Sequence, residues 1–212
     1  MISIIVPIYN EETTIRDFIY NLYCLYDIKK HEVIFVDGGS KDKTLDILEE
    51  LSYFEYSYHV SAKKGRANQM NFGAEISRGD ILWFIHADSI LQKDVIQKVI
   101  DCPTEVGCLK IKFYPNSFPM RVNSIVSNMR ASITNLAFGD QALFLSREAF
   151  EKVGGYKDIP IMEDYRISED LSANGYKITV IDSSVTTSTR RYKGHVKTTM
   201  WQMQKYQKMY RR

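Results

Sequence analysis

An α/β fold, with a mostly parallel central sheet and helices on both faces, is what the 212-residue sequence predicts, on three observations. Three short apolar runs rich in β-branched or aromatic residues, Ile2-Ser3-Ile4-Ile5-Val6, Val33-Ile34-Phe35-Val36 and Ile81-Leu82-Trp83-Phe84-Ile85, read as strands buried on both faces. Segments with apolar residues at helical spacing lie between them, so three β–α units fill the first 90 residues. Polar residues directly follow each run, at the carboxyl ends where an open parallel sheet binds ligands.

The elements follow in order. Pro7 is expected to end the first strand. Ile15, Phe18, Ile19, Leu22 and Tyr26 predict an amphipathic helix over residues 13–26. Asp37-Gly38-Gly39-Ser40 is a turn, and Leu45, Leu48 and Leu51 mark the next helix. A weak strand at 56–60 precedes a helix over 66–77 that ends at Gly79. Beyond residue 90 the pattern is less regular. Residues 106–113 and 142–145 read as strands. Pro119 marks a helix start, with Val122, Ile125, Val126, Met129 and Ile133 as its expected buried stripe. Helices are expected at 147–153, closed by Gly154-Gly155, and at 162–173, ended by Asn174-Gly175; a strand follows at 178–181. A basic, Met-rich helix from about Val196 closes the chain. There is no internal repeat, low-complexity stretch or linker, so residues 1–212 read as one domain.

Composition narrows the class. Hydrophobic residues make up 44% and charged residues 25%, which excludes a disordered, collagen-like or heptad-rod chain. No apolar run approaches the roughly 18–20 residues a bilayer span needs. The opening run is too short for a signal-peptide core and has no basic segment before it, so a soluble protein that stays where it is made is expected. Cys24, Cys102 and Cys108 form no CxxC pair and are odd in number, which suits a reduced, cytoplasmic setting; their apolar surroundings predict buried structural thiols. The net charge of +2 is unevenly placed. Residues 190–212 hold eight Lys or Arg and no acid, whereas the other 189 carry 20 basic and 26 acidic side chains. That tail suggests an anionic neighbour, namely a phosphate, a lipid surface or an acidic group, and does not imply nucleic acid.

Tyr9, Asn10 and Glu11 follow the first strand, Asp37 the second, and His86 and Asp88 the Ile81–Ile85 run, so three polar clusters converge on one sheet edge. Helix capping is the competing reading for each Asp. GxGxxG and GxxxxGK[ST] are absent, which disfavours a dinucleotide site or a P-loop. His86 lacks zinc-ligand spacing. Glu163-Asp164 opens a helix, where acids complement the macrodipole. Arg190-Arg191, in a polar loop, suit a diphosphate through the guanidinium fork.

Ile5-Val6-Pro7-Ile8-Tyr9-Asn10-Glu11, then Asp37-Gly38-Gly39-Ser40-Lys41-Asp42-Lys43-Thr44, Gly79-Asp80, His86-Ala87-Asp88 and Glu163-Asp164 together resemble, in order and spacing, a family 2 glycosyltransferase. The stretches from Arg66 to Asn71, Phe138 to Ala142 and Thr186 to Tyr192 resemble a bacterial branch labelled as radical-SAM-associated or arsenosugar-synthesising. The resemblance implies a GT-A fold: a Rossmann-like nucleotide-binding half over about 1–90, an acceptor half over about 91–192 and the basic helix over about 193–212. It implies that Pro7, Tyr9, Glu11, Asp37 and Arg66 bind the nucleotide. Asp88, with His86, would occupy the place of the DxD metal motif, and Asp164, with Glu163 as competitor, would be the catalytic base. Arg190, Arg191 and Tyr192 would lie near the leaving group. Two departures stand out: Gly38 where many members have a second Asp, and His86 in place of the first Asp of DxD.

The implied reaction is inverting transfer of a sugar from a nucleotide-diphosphate sugar to an unidentified hydroxyl acceptor, assisted by Mn²⁺ or Mg²⁺. A divalent ion and arginines stabilise the leaving diphosphate, and one carboxylate takes the acceptor's proton. The rivals are a sugar-phosphate nucleotidyltransferase, disfavoured because Pro7-Ile8-Tyr9-Asn10-Glu11 is not Gly-rich, and a non-catalytic nucleotide-sugar binder. In the tail, Val196, Met200, Met203, Gln207 and Tyr210 share a helical stripe, read either as a helix packed on a cytoplasmic domain or as a peripheral contact at the inner face of the membrane. The sequence sets no oligomeric state.

Overall fold

The computed structural model describes residues 1–61 and 63–189. Among them, eight strands form one sheet: β1 (Ile2–Ile8), β2 (Glu32–Asp37), β3 (Ser57–Val60), β4 (Ile81–Phe84), β5 (Ile90–Leu91), β6 (Val106–Tyr114), β7 (Phe144–Ser146) and β8 (Ile178–Ser188). Their spatial order is β3-β2-β1-β4-β7-β6-β8-β5. Pairing is parallel from β3 through β2 and β1 to β4, and again between β6 and β8. Only β7 and β5 run against the rest.

Helices cover both faces, as the unalternating strands require. Ile2, Ile4, Val6 and Ile8 of β1 pack with α1 (Ile15–Tyr23), α2 (Thr44–Glu50) and α4 (Val95–Ile100). Ile5 packs on the opposite face with α3 (Arg66–Ile76), α6 (Arg147–Val153) and α7 (Glu163–Ala173). Successive strand residues point to opposite faces, so both faces are apolar and the run carries no period-2 signal. Gly73 lets α3 lie close on the sheet: a Cβ there would stand 2.5 Å from Ile5 Cγ2.

Several expectations need correcting. Pro7 does not end β1, which runs on to Ile8. Ile5 accepts a bond from Ile85 on the β4 side and Ile8 accepts one from Gly38 on the β2 side, so Pro7 faces β4 beyond its last paired residue. Its missing N–H therefore breaks no ladder bond. The two-residue β5 and six-residue α4 have no sequence expectation, and β8 is far longer than 178–181. Cys24 is exposed and Cys102 half-buried; of the three thiols Cys108 alone is buried, and burial pushes it up to about 12.

The largest correction concerns α5 (Phe118–Thr134). Its expected buried stripe faces out: Val122 is 45%, Ile125 60%, Val126 53%, Met129 54% and Ile133 74% exposed. Met120, Asn123, Ser127 and Ala131 face inward instead. The expected basic helix, with Arg190 and Arg191, lies outside the described residues. Among the described residues no helix is long and apolar enough to cross a membrane.

Candidate active site

A cavity of about 490 Å³ opens at the carboxyl ends of β1, β2 and β4. Two loops shape its first wall by bonding to each other. Asn10, at φ 54°, accepts from Lys41 N at 2.8 Å and donates its own N–H to Ser40 Oγ at 2.9 Å. Glu11 N donates to Thr44 Oγ1 at 2.7 Å, and Thr14 Oγ1 donates to Glu11 Oε2 at 2.6 Å. These bonds hold Pro7, Tyr9 and Glu11 along the cavity, with Tyr9 half exposed.

Asp37 sits differently from the neighbours it was grouped with. It is fully buried, and its carboxylate accepts from Gly39 N at 2.7 Å and from Ser40 N and Oγ. That arrangement fixes its own turn, and Gly38, not Asp37, lines the cavity. Gln69, which the motif reading left without a role, closes the floor. Its Nε2 donates to Ile8 O and Val36 O, both at 2.7 Å, tying the ends of β1 and β2 to α3. The signal for it in the sequence is an amide among Ala67, Met70 and Ala74 on the buried face of α3.

The loop after β4 brings His86 and Asp88 to the same cavity, and Thr187 Oγ1 of β8 lies 3.4 Å from Asp88 Oδ1. Arg66, at the start of α3 behind Gly65 (φ 110°), is the hub. Its Nε donates to Glu163 Oε1, its Nη2 is 3.9 Å from Asp164 Oδ2, and its Nη1 is 3.4 Å from His86 Nε2. Burial works against the guanidinium charge, but Asp164 and Glu163 outweigh it and hold Arg66 above its ordinary range. Asp164 also accepts from Gly139 N at 2.7 Å and from Tyr165 N at 2.7 Å. Arg66 and His86 line both the main cavity and a small one reaching Glu163 and Asp164. Tyr156 lines that small cavity, and burial, then the two acids, push its hydroxyl well above the ordinary range. β8 runs along the main cavity through Thr187 and Ser188, and only Thr189 separates Ser188 from Arg190 in the sequence.

A divalent cation would find few protein donors here. Among the described residues no group of three His, Cys, Asp or Glu side chains is placed to hold a metal ion. Asp88 lines the cavity, which fits a hard cation that takes its other ligands from phosphate oxygens and water. In the tautomer that accepts from Arg66, His86 Nε2 uses the lone pair a cation would need.

Comparison with known proteins bears on the family and the fold. Residues 3–102 match the family model described as Glycosyl transferase family 2. A probable glycosyltransferase from Sulfolobus acidocaldarius is 26% identical over 96% of this chain and 49% of its own length. The chain thus spans about half of that curated relative. The mannosyltransferase PcManGT from Pyrobaculum calidifontis, solved with GDP-Man and Mn²⁺, superposes with a TM-score of 0.71 at 23% identity, over 87% of this chain and 56% of that one. TarS from S. aureus, solved with UDP-GlcNAc, gives 0.72 at 18% identity, over 89% and 58%. Residues 3–102, just under half of the chain, are therefore similar to the glycosyl transferase family 2 model, and the chain has the GT-A fold.

Proposed function

We propose that the chain transfers a sugar from a nucleoside-diphosphate sugar to a hydroxyl acceptor, with inversion and with help from Mn²⁺ or Mg²⁺. The observation that carries this reading is one cavity at the strand ends lined together by Tyr9, Glu11, Arg66 and Asp88. The nucleotide-sugar complexes of PcManGT and TarS support a donor of that class.

In this reading Pro7, Tyr9 and Glu11 hold the nucleoside, and Asp37 acts on it through the Gly38–Ser40 turn it fixes. Arg66 faces the diphosphate; Arg190 and Arg191, which the sequence assigns to the same group, lie outside the described residues. Asp88, with His86 beside it, would hold the cation, which when bound neutralises charge on the departing diphosphate. Asp164 takes the acceptor's proton as its oxygen attacks the anomeric carbon. Glu163, buried and paired with Arg66, positions that arginine. Direct attack assisted by one base gives inversion.

The test is incubation with a panel of nucleotide sugars, with and without Mn²⁺. Free nucleoside diphosphate is the expected product. Pyrophosphate would instead assign a nucleotidyltransferase, and binding without any product a nucleotide-sugar binder.

A further inference from the structure

α5 is amphipathic the wrong way round for a helix on a core. Phe118, at 78% exposure, and Val122, Ile125, Val126, Met129 and Ile133 form a continuous outer stripe, while Asn123, Ser127 and Ala131 face the protein. Turning the helix to bury the stripe would break the bonds that set its orientation. Asn128 accepts from Ile111 N at 2.8 Å and its Nδ2 is 3.3 Å from Ile111 O, occupying both backbone groups of one β6 residue. Arg130 is held by Leu136 O and Gln141 Oε1. The outward stripe is therefore built in. Six large apolar side chains on one face exceed the scattered exposed residues of an ordinary surface and mark a contact site.

We propose that this face seats the protein on the interface of an anionic bilayer. Charge selects that occupant. From Val106 to Thr134 the sequence has four Lys or Arg and no Asp or Glu; Lys110 pairs with Asp182 and Arg130 is held inward, while Lys112 and Arg121 are exposed, Arg121 beside Val122. The eight Lys or Arg of residues 190–212 begin directly after Thr189, whose N–H bonds to Tyr114 O at 3.0 Å, close in sequence to the start of α5. Neither that tail nor a second copy of α5 would bring a carboxylate to this face, and each would set cation against cation. An anionic lipid surface supplies both the apolar interior for the stripe and the counter-charge for its flanks. Tyr114, at 70% exposure, and Phe118 mark the amino end of the stripe, and aromatic side chains suit an interface. Phe113, which lines the active-site cavity, packs with Met120 on the inner side of α5, so the helix that carries the stripe lies beside the cavity. The inference is independent of the transfer chemistry.

The test is co-sedimentation of the full chain with phosphatidylglycerol-containing vesicles and with phosphatidylcholine vesicles, at low and high salt. The wild type is expected to pellet with the anionic vesicles at low salt, and less at high salt. Ile125→Asp and Met129→Asp should each weaken that binding by about tenfold or more. Both sites are exposed, so melting temperature and nucleoside-diphosphate binding by calorimetry should be unchanged, which separates this inference from the donor reading. It is overturned if the wild type does not pellet, if both variants bind as the wild type does, or if equilibrium sedimentation shows a wild-type dimer that either variant dissociates.

Discussion

Arg66 touches both acids at the head of α7 and lines the cavity assigned to the donor. The two acids are not equivalent. Glu163 is the more buried and is paired directly with Arg66, whereas Asp164 contacts the Gly139 backbone and is 3.9 Å from the guanidinium. A carboxylate tied to a cation it holds in place is a poor proton acceptor, which is why Asp164 is the base in the proposed reaction. Asp164→Asn keeps one oxygen acceptor, which can serve Gly139 N at the cost of the local bond from Tyr165 N, and so should keep the loop. We expect kcat to fall by about a hundredfold or more, the size of a lost general base, with the donor dissociation constant unchanged. Steady-state kinetics with calorimetry on the same variant checks it. A matched loss of affinity and turnover would make Asp164 a cap of α7.

At the scale of elements, α3 carries the site into place. It bears Arg66 and Gln69, and Gly73 sets how closely it lies on β1 and β2. Gly73→Val puts its Cβ 2.5 Å from Ile5 Cγ2 and 3.1 Å from Val36 Cγ2, both on fully buried β-branched side chains that have no room to move. Overpacking outweighs the small gain in helix propensity, for a net cost of about 2–3 kcal/mol. Urea unfolding should show that loss with an unchanged slope, and nucleotide affinity should fall as well, because Arg66 and Gln69 shift with the helix. A variant of normal stability would mean that α3 does not rest on Ile5. The elements also show what pattern can and cannot reveal. Strands β1, β2 and β4 are legible because strands buried on both faces must be apolar throughout. β5 and α4 are not, since two and six residues complete too little of any period. Periodicity finds the stripe of α5 but not what lies against it, and the side that packs is decided by Asn128 on Ile111, a contact between residues 17 apart.

Across the whole molecule, the rule that ligands bind beyond parallel strand ends leads from sequence to the cavity, because it needs strand order alone. It brings Tyr9, Glu11 and Asp88 together although 77 residues separate Glu11 from Asp88. It does not distinguish Asp37, whose carboxylate turns back on its own loop as the capping alternative describes. The Arg66–Glu163 contact, across 97 residues and from opposite halves of the chain, has no periodic or local signature. A ligand that binds the assembled site and not the unfolded chain adds stability by mass action, so donor binding should appear as stability. At a nucleoside diphosphate concentration about a hundredfold above its dissociation constant, with Mn²⁺ present, binding to the native state alone adds about 2.7 kcal/mol. For a domain of this size that is a rise in melting temperature of roughly 5–10 °C. Chelation of the metal should remove most of the rise. Asp88→Ala should remove it too while leaving the unliganded melting temperature within a degree or two of wild type, because a cavity-lining carboxylate is not part of the core. A full Mn²⁺-dependent rise in Asp88→Ala would take the cation away from Asp88, and a rise that ignores chelation would take it out of donor binding altogether.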